Sequence, residues 1–287
     1  MKTDFPNITI LGAGLLGGSL ALALAESENP PNIRLWARKG ETAAAAVELG
    51  ISQATANLAE AVKDTNLVIL AVPVGAMAAL VRDALDAGLP AGCLITDVGS
   101  VKRTPHQKIA PLLKGRDICF IGSHPMAGSE RNGLSAITAD LFQNAACLLT
   151  NDNAAPAERT AALERFWKHI GCRTSWMSAA IHDELVARIS HLPHLIAASA
   201  ARVCLKDPSE GKFGGGGLRD TTRVAAGNPT MWAEIAHENR EALASLLRES
   251  ITDLREILAS LENADQEHVR QWLVTAKQRR DPLNSFL

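Results

Sequence analysis

The sequence predicts an α/β fold, with an N-terminal Rossmann-type doubly wound sheet followed by an all-α C-terminal domain. Three observations predict it. Over the first half, short β-branched runs alternate with Ala/Leu-rich helical stretches, as βαβ units do in a parallel sheet covered on both faces. A cluster of glycines stands directly after the first of these runs. Strand-like runs then stop near residue 178 and helical periodicity takes over, a composition switch that marks a domain boundary.

Taken in order, residues 8–11 read as the first strand and 15–26 as the first helix. Strands at 33–36, 67–72 and 93–98 follow, with helices at 42–49 and 76–87 between them. Residues 118–122 and 146–150 read as further strands, and a helix at 157–170 and a strand at 173–177 close a dinucleotide-binding domain placed at 1–177. Residues 178–287 read as a helical domain, with helices at 179–205, 230–261 and 265–277. Between the first two lies 212–227, a loop-like segment with four consecutive glycines, Gly214 to Gly217. Pro193 lies inside the first helical run, so a kink is expected there.

A length of 287 residues suits two cores better than one. The net charge of −2 excludes a general nucleic-acid or anionic-membrane binder, so any anion site must come from local placement of cations and helix ends. The apolar stretch 15–25 is too short to cross a bilayer, and no signal peptide is visible. The five cysteines are scattered without a C-x-x-C pair, which reads as buried thiols in a reducing cytoplasm. His191 and His194 are three apart but lack a second pair of ligands, so no metal is expected.

Gly12-Ala13-Gly14-Leu15-Leu16-Gly17 fits G-x-G-x-x-G between a strand and a helix. Gly12 permits the tight turn, Gly14 lets a pyrophosphate approach the backbone, and Gly17 allows close helix–strand packing. The amides of Leu15 and Leu16 open the helix, where free N–H groups and the dipole favour an anion. The second strand ends Leu35-Trp36-Ala37-Arg38-Lys39, without the acid that usually bonds an NAD ribose. Arg38 and Lys39 can pair with a 2′-phosphate, which favours NADP over NAD; a solvated basic loop is the other reading.

Asp97-Val98-Gly99-Ser100-Val101-Lys102 and Gly122-Ser123-His124-Pro125-Met126-Ala127-Gly128 each stand at the end of a strand, where doubly wound sheets bind ligands. These segments resemble the prephenate/arogenate (cyclohexadienyl) dehydrogenase family. The resemblance continues through Ala71-Val72-Pro73, Ser190-His191-Leu192-Pro193-His194, the run Gly215 to Arg223, and Asn228-Pro229-Thr230-Met231-Trp232. Six pieces in order, similarly spaced, are a specific match.

The resemblance implies oxidative decarboxylation of prephenate or arogenate in tyrosine biosynthesis, with hydride transfer to a nicotinamide. It implies a catalytic His124 that takes the ring hydroxyl proton. It also implies a Ser100 that bridges histidine, hydroxyl and nicotinamide, with Val72 and Pro73 against the cofactor. Arg223 matches an arginine that grips a substrate carboxylate, and His194 a second histidine on the substrate side. Read without the resemblance, Ser100 also fits a turn or helix N-cap, and His194 a buried structural histidine. Asp183 and Asp220 read as structural, holding His194 and Arg223 in place. The resemblance and the long apolar helices both point to a homodimer through the helical halves. No fused mutase domain or C-terminal regulatory domain is expected. Two rivals remain. One is another dehydrogenase with a helical tail, acting on a hydroxy acid or imine. The other is a non-catalytic NADP-sensing module, which would have no need of His124 and Ser100.

Overall fold

The computed structural model describes residues 3–128 and 133–285. They form two compact units, 1–239 and 240–287. In chain order the first begins β1 (Asn7–Leu11), α1 (Leu15–Ala25), β2 (Asn32–Trp36), α2 (Gly40–Glu48), β3 (Ala54–Thr55) and α3 (Leu58–Val62). It continues β4 (Leu67–Leu70), α4 (Val74–Asp86), β5 (Leu94–Asp97), α5 (Arg103–Leu113) and β6 (Cys119–Phe120). These six strands form one parallel sheet in the order β3-β2-β1-β4-β5-β6. The strand order reverses between β1 and β4, which opens a ligand crevice at their carboxyl ends.

Period-2 alternation explains why both faces are covered. Ile8, Ile10, Leu67, Ile69 and Leu94 join a core with Leu20 and Leu24 of α1. Leu11, Val68, Leu70 and Ile95 point the other way, against Met77, Leu80 and Val81 of α4 and Ile109 of α5. Register pairs Leu11 with Trp36 and Leu70, and Leu70 with Asp97, so the strand ends align at one edge.

The expected strand at 118–122 is corrected. Pairing with β5 ends near Phe120, and β7 (Gly122–Pro125) starts a second sheet with β8 (Ala146–Thr150) and β9 (Arg173–Trp176). A Cβ at Gly122 would stand 2.4 Å from Thr150 Oγ1, so glycine is what lets the chain cross between the sheets here. His124 therefore sits within a strand rather than past the end of one. Between β8 and β9, α6 (Ala157–His169) buries Leu163, Phe166 and Trp167 against the first core.

The helical part of this unit holds α7 (Ala179–Val186), a π-helical turn (Ala187–His191), α8 (Leu192–Cys204), α9 (Gly216–Thr222) and α10 (Pro229–Glu238). Ser178 caps α7 by accepting from the Ile181 amide at 3.2 Å. A π turn interrupts the helical run just before Pro193, which then sits in the first turn of α8. The segment 212–227 is also not a loop: the glycine run leads into α9, and a 3-10 turn spans Arg223–Ala226. Helix α10 is pinned to the sheet's carboxyl edge. Glu234 accepts from the Gly75 amide of α4 at 2.6 Å, and Glu238 from Thr104 Oγ1 of α5 at 2.7 Å.

The second unit is α11 (Arg240–Glu262) and α12 (Gln266–Arg280). Trp272 Nε1 donates to Asp253 at 3.1 Å between them, and Asp265 caps α12 through the His268 amide at 2.9 Å. The single helix expected at 230–261 is therefore two, with Asn239 between them. Ile251, Leu254, Leu258 and Leu261 stand exposed on α11 at spacings of three and four, one apolar stripe. Among the described residues no helix is long and apolar enough to cross a membrane.

Candidate active site

The cofactor edge is built from three strand ends. Gly12 has φ +127°, and a Cβ there would stand 2.2 Å from the Ala71 carbonyl oxygen. A Cβ at Gly17 would stand 1.9 Å from the Gly12 carbonyl oxygen, so α1 can approach β1 this closely only through glycine. Gly14, by contrast, has nothing within 4 Å of a Cβ position and opens onto free space. It is the N-cap of α1 and carries no side-chain cap, which leaves the amides of Leu15 and Leu16 at an uncapped, acid-free helix start. This cradle fits a dinucleotide pyrophosphate. Val72 is half-buried and Pro73 exposed beside it, Pro73 being the N-cap of α4.

Arg38 is exposed at the end of β2, and Lys39 is the N-cap of α2, again without a side-chain cap bond. Lys39 Nζ lies 3.3 Å from Glu41, an acid just past the strand end. An exposed pair of this kind contributes about 0–1 kcal/mol, so it holds Lys39 only weakly. Arg38, Lys39 and an uncapped helix start thus follow directly on the end of β2.

Deeper in, β5 ends on Asp97, which is fully buried and forms an ion pair with fully buried Lys102. Asp97 also accepts from the Gly99 amide at 3.0 Å and the Ser123 amide at 3.1 Å. Lys102 Nζ returns to the Gly99 carbonyl at 2.8 Å. The loop carrying half-buried Ser100 is thereby tied to β5 and to β7 at once. Ser100 is not the cap of α5. That role falls to Asp183 of α7, whose carboxylate accepts the amides of Lys102 at 2.7 Å and Arg103 at 3.0 Å.

Asp183 also binds the ring of its neighbour His182 at Nδ1, 2.8 Å, and His182 Nε2 lies 2.9 Å from His124 Nδ1. All three are buried. Burial works against ionisation of Asp183, but the His182 ring and the Lys102 and Arg103 amides outweigh it and hold the carboxyl below its usual value. Burial pushes His124 well below 6.5, and His182, Lys102 and His191 add to the effect. Burial lowers His182 as well, partly offset by Asp183. Both imidazoles are neutral at neutral pH.

A second group lies on the helical side. His191 Nδ1 accepts from Asn239 Nδ2 at 3.2 Å, and the same amide donates to the Asp183 carbonyl at 2.7 Å. Burial lowers His191 to about 4. Trp232 meets His191 edge-on at 6.1 Å and stacks flat on His194 at 3.6 Å and 8°. His194 forms a backbone bond with Val224, next to exposed Arg223. His191 Nε2 and His194 Nδ1 are buried without a hydrogen-bond partner among the described residues. Such atoms are costly unless a ligand serves them.

Residues 20–176 match the family described as prephenate dehydrogenase, nucleotide-binding domain, and residues 178–275 match prephenate dehydrogenase, dimerization domain. The chain belongs to the prephenate dehydrogenase family. It is 33% identical to the cyclohexadienyl dehydrogenase of Zymomonas mobilis over 285 residues, 97% of this chain and 96% of that protein. Its structure is similar to prephenate dehydrogenase from A. aeolicus, solved with hydroxyphenyl propionate and NAD+. The TM-score is 0.88 and the identity 27%, over 99% of this chain and 100% of that one. Arogenate dehydrogenase from Synechocystis gives a TM-score of 0.79 at 28% identity, over 96% of this chain and 99% of that one. A prephenate dehydrogenase fold thus carries the cluster described above, and the cofactor is a pyridine nucleotide.

The fold brings His124 to His182 and Asp183, and His194 to Trp232 and Val224. Asp183 does not hold His194, as the sequence suggests; it holds His182. The sequence reading passes over His182 altogether. The signal for it is an adjacent His-Asp pair in the largely apolar Ala179–Val186 helix, where a buried polar pair must bond to something.

Proposed function

We propose that the chain oxidatively decarboxylates prephenate and/or arogenate in tyrosine biosynthesis, with NADP+ favoured over NAD+. The observation that carries the proposal is His124, buried, neutral, and held through Nδ1 so that its other ring nitrogen remains for a substrate. Gly12, Gly14, Leu15, Leu16 and Gly17, with Val72, Pro73 and Ser100 beside them, would hold the nucleotide, which would supply the hydride acceptor when bound. His124 takes the proton of the C4 hydroxyl as hydride leaves C4. The bond from C1 to its carboxylate then breaks, and CO2 departs. The electron pair enters the ring, which becomes aromatic as a phenolate, and the proton on His124 returns to that oxygen. Aromatisation drives the sequence. Ser100, on the loop after β5, would bond the hydroxyl and the nicotinamide. Arg223 binds a substrate carboxylate with its planar fork, and His194, braced flat against Trp232, orients the substrate.

Residues 1–177 serve as the nucleotide-binding domain and 178–287 as the substrate-binding and dimerisation domain. The exposed stripe of α11 and the matched dimerization domain support a homodimer. Five free cysteines fit a reducing cytoplasm. The test is the rate of reduced-cofactor formation with prephenate and with arogenate, each against NAD+ and NADP+. Turnover of neither substrate with either cofactor refutes the proposal.

A further inference from the structure

His182 is fully buried, faces the catalytic ring and is used by no step above. Its two bonds determine where protons sit. Asp183 already accepts two backbone amides and, ionised, can only accept, so His182 Nδ1 must carry the hydrogen of their 2.8 Å contact. A neutral imidazole has one N–H. His182 Nε2 is then a bare lone pair, and it lies 2.9 Å from His124 Nδ1. A hydrogen bond there requires the proton on His124 Nδ1. The bare nitrogen of His124 is consequently Nε2, which bonds to no protein group among the described residues.

We propose that His182 is a positioning residue that fixes His124 as the Nδ1–H tautomer, leaving Nε2 as the proton acceptor, and that it passes the positive charge of protonated His124 toward Asp183. The proposal rests on the functional reading above only for the identity of the proton donor. The proton balance closes. When Nε2 takes a proton, the Nδ1 proton can move across to His182 Nε2, and His182 then holds two N–H groups beside a carboxylate. When the proton is returned, the transfer reverses.

The surroundings favour this direction. His124 is faced by His182 from α7, His191 from the π turn and Lys102 from the loop before α5. Lys102 is itself bound to Asp97, which leaves Asp183 as the carboxylate bonded to the pair of rings, through His182. A histidine here does two things: it selects a tautomer, as any acceptor at that position would, and it accepts a proton, which a neutral amide does not.

Two substitutions separate these roles. His182→Asn places an amide where Nδ1 stands, so it can keep Asp183 but does not reach His124. His182→Gln places an amide where Nε2 stands, so it can keep the tautomer but cannot carry the proton. The first measurement is the ¹⁵N shifts of the histidine rings in the full-length protein without substrate. The expected result is a bare Nε2 on His124 in the unmodified protein and in His182→Gln, with Nε2–H appearing in His182→Asn. The second is steady-state kinetics. His182→Asn should lower kcat about 100-fold, the scale of losing a correctly poised general base, with both KM values within about threefold. His182→Gln should recover about tenfold of that loss. A protonated Nε2 on resting His124 overturns the proposal, as does unchanged kcat in His182→Asn. Rising KM for both ligands with no advantage of Gln over Asn also overturns it and leaves His182 a packing residue. If the unmodified chain turns over neither substrate, the functional reading fails, while the ring shifts still decide the tautomer.

Discussion

His191 makes the folded protein sensitive to acid, and the size of the effect follows from its surroundings. Its ring is 2% exposed, and burial lowers its pKa from 6.5 to about 4. Above pH 6.5 both folded and unfolded chains hold it neutral, so its contribution to stability is fully present. As pH falls below 6.5 the unfolded chain binds a proton that the folded chain refuses, and stability falls until pH reaches the folded value near 4. At 1.36 kcal/mol per unit, the full window is worth about 3 kcal/mol, and the part between pH 6.5 and 5 about 2 kcal/mol. His191→Asn removes the titration while its side-chain oxygen can still accept from Asn239. The assay is urea unfolding followed by tryptophan fluorescence, at fixed protein concentration, at pH 7.5 and pH 5. The smaller side chain lowers stability equally at both, so the difference between the two pH values isolates the ring. The unmodified protein should lose about 2 kcal/mol more than His191→Asn on acidification. Equal losses in the two proteins would refute the reasoning and place the acid sensitivity elsewhere.

Three other outcomes follow from the site. His124→Asn should lower kcat roughly 10²–10⁴-fold while KM and cofactor binding change little, as for loss of a general base; steady-state kinetics with near-normal kcat would remove it from the mechanism. Arg223→Ala should raise the substrate KM roughly 10- to 150-fold, matching about 1.5–3 kcal/mol for a bond to a charged group, and Arg223→Lys should rescue it only in part. A rise in cofactor KM alone would assign Arg223 to the other ligand. NADP+ should be preferred over NAD+ by about ten- to a hundredfold in kcat/KM, shrinking as salt is added, and Arg38→Asp should invert the preference; equal use of both cofactors by the unmodified protein would leave Arg38 and Lys39 as a solvated loop.

Much of the first sheet is legible in the sequence because its signals are local. Period-2 runs and the glycine turn depend on neighbours a few positions away, and they place β1, β2, β4 and β5 within one or two residues. What is missed is set by distant partners. Residues 230–261 keep helical spacing throughout, so periodicity reads one helix. The break comes at Asn239, whose amide is drawn to the Asp183 carbonyl and the His191 ring, contacts no local pattern encodes. Likewise 118–122 is continuously apolar, and only the close packing of Gly122 on Thr150 shows that the chain changes sheets there. Of the candidate site, Ser100, His124, His194 and Arg223 are proposed through motif resemblance. His182 is not, because the His182–Asp183 pair lies outside the motifs that carry the resemblance, and its partners come from distant segments.

Those partners converge on Asp183. Its carboxylate starts α5 by accepting the Lys102 and Arg103 amides, and it holds the His182 ring. Its carbonyl holds Asn239, and Asn239 holds His191. One residue thus ties the loop after β5 to the relay on His124 and to the histidine beside Trp232. A buried carboxylate is stable only when its acceptor sites are filled, so none of these contacts can be lost without cost to the others. Neither half of the chain can assemble this arrangement alone. Asp97, Lys102 and His124 come from the segments around the sheets, and His182, Asp183 and His191 from the helices that follow. The geometry of the His124–His182–Asp183 chain is therefore a property of the packed junction between them, completed only when the helical segment docks on the carboxyl edge of the sheet.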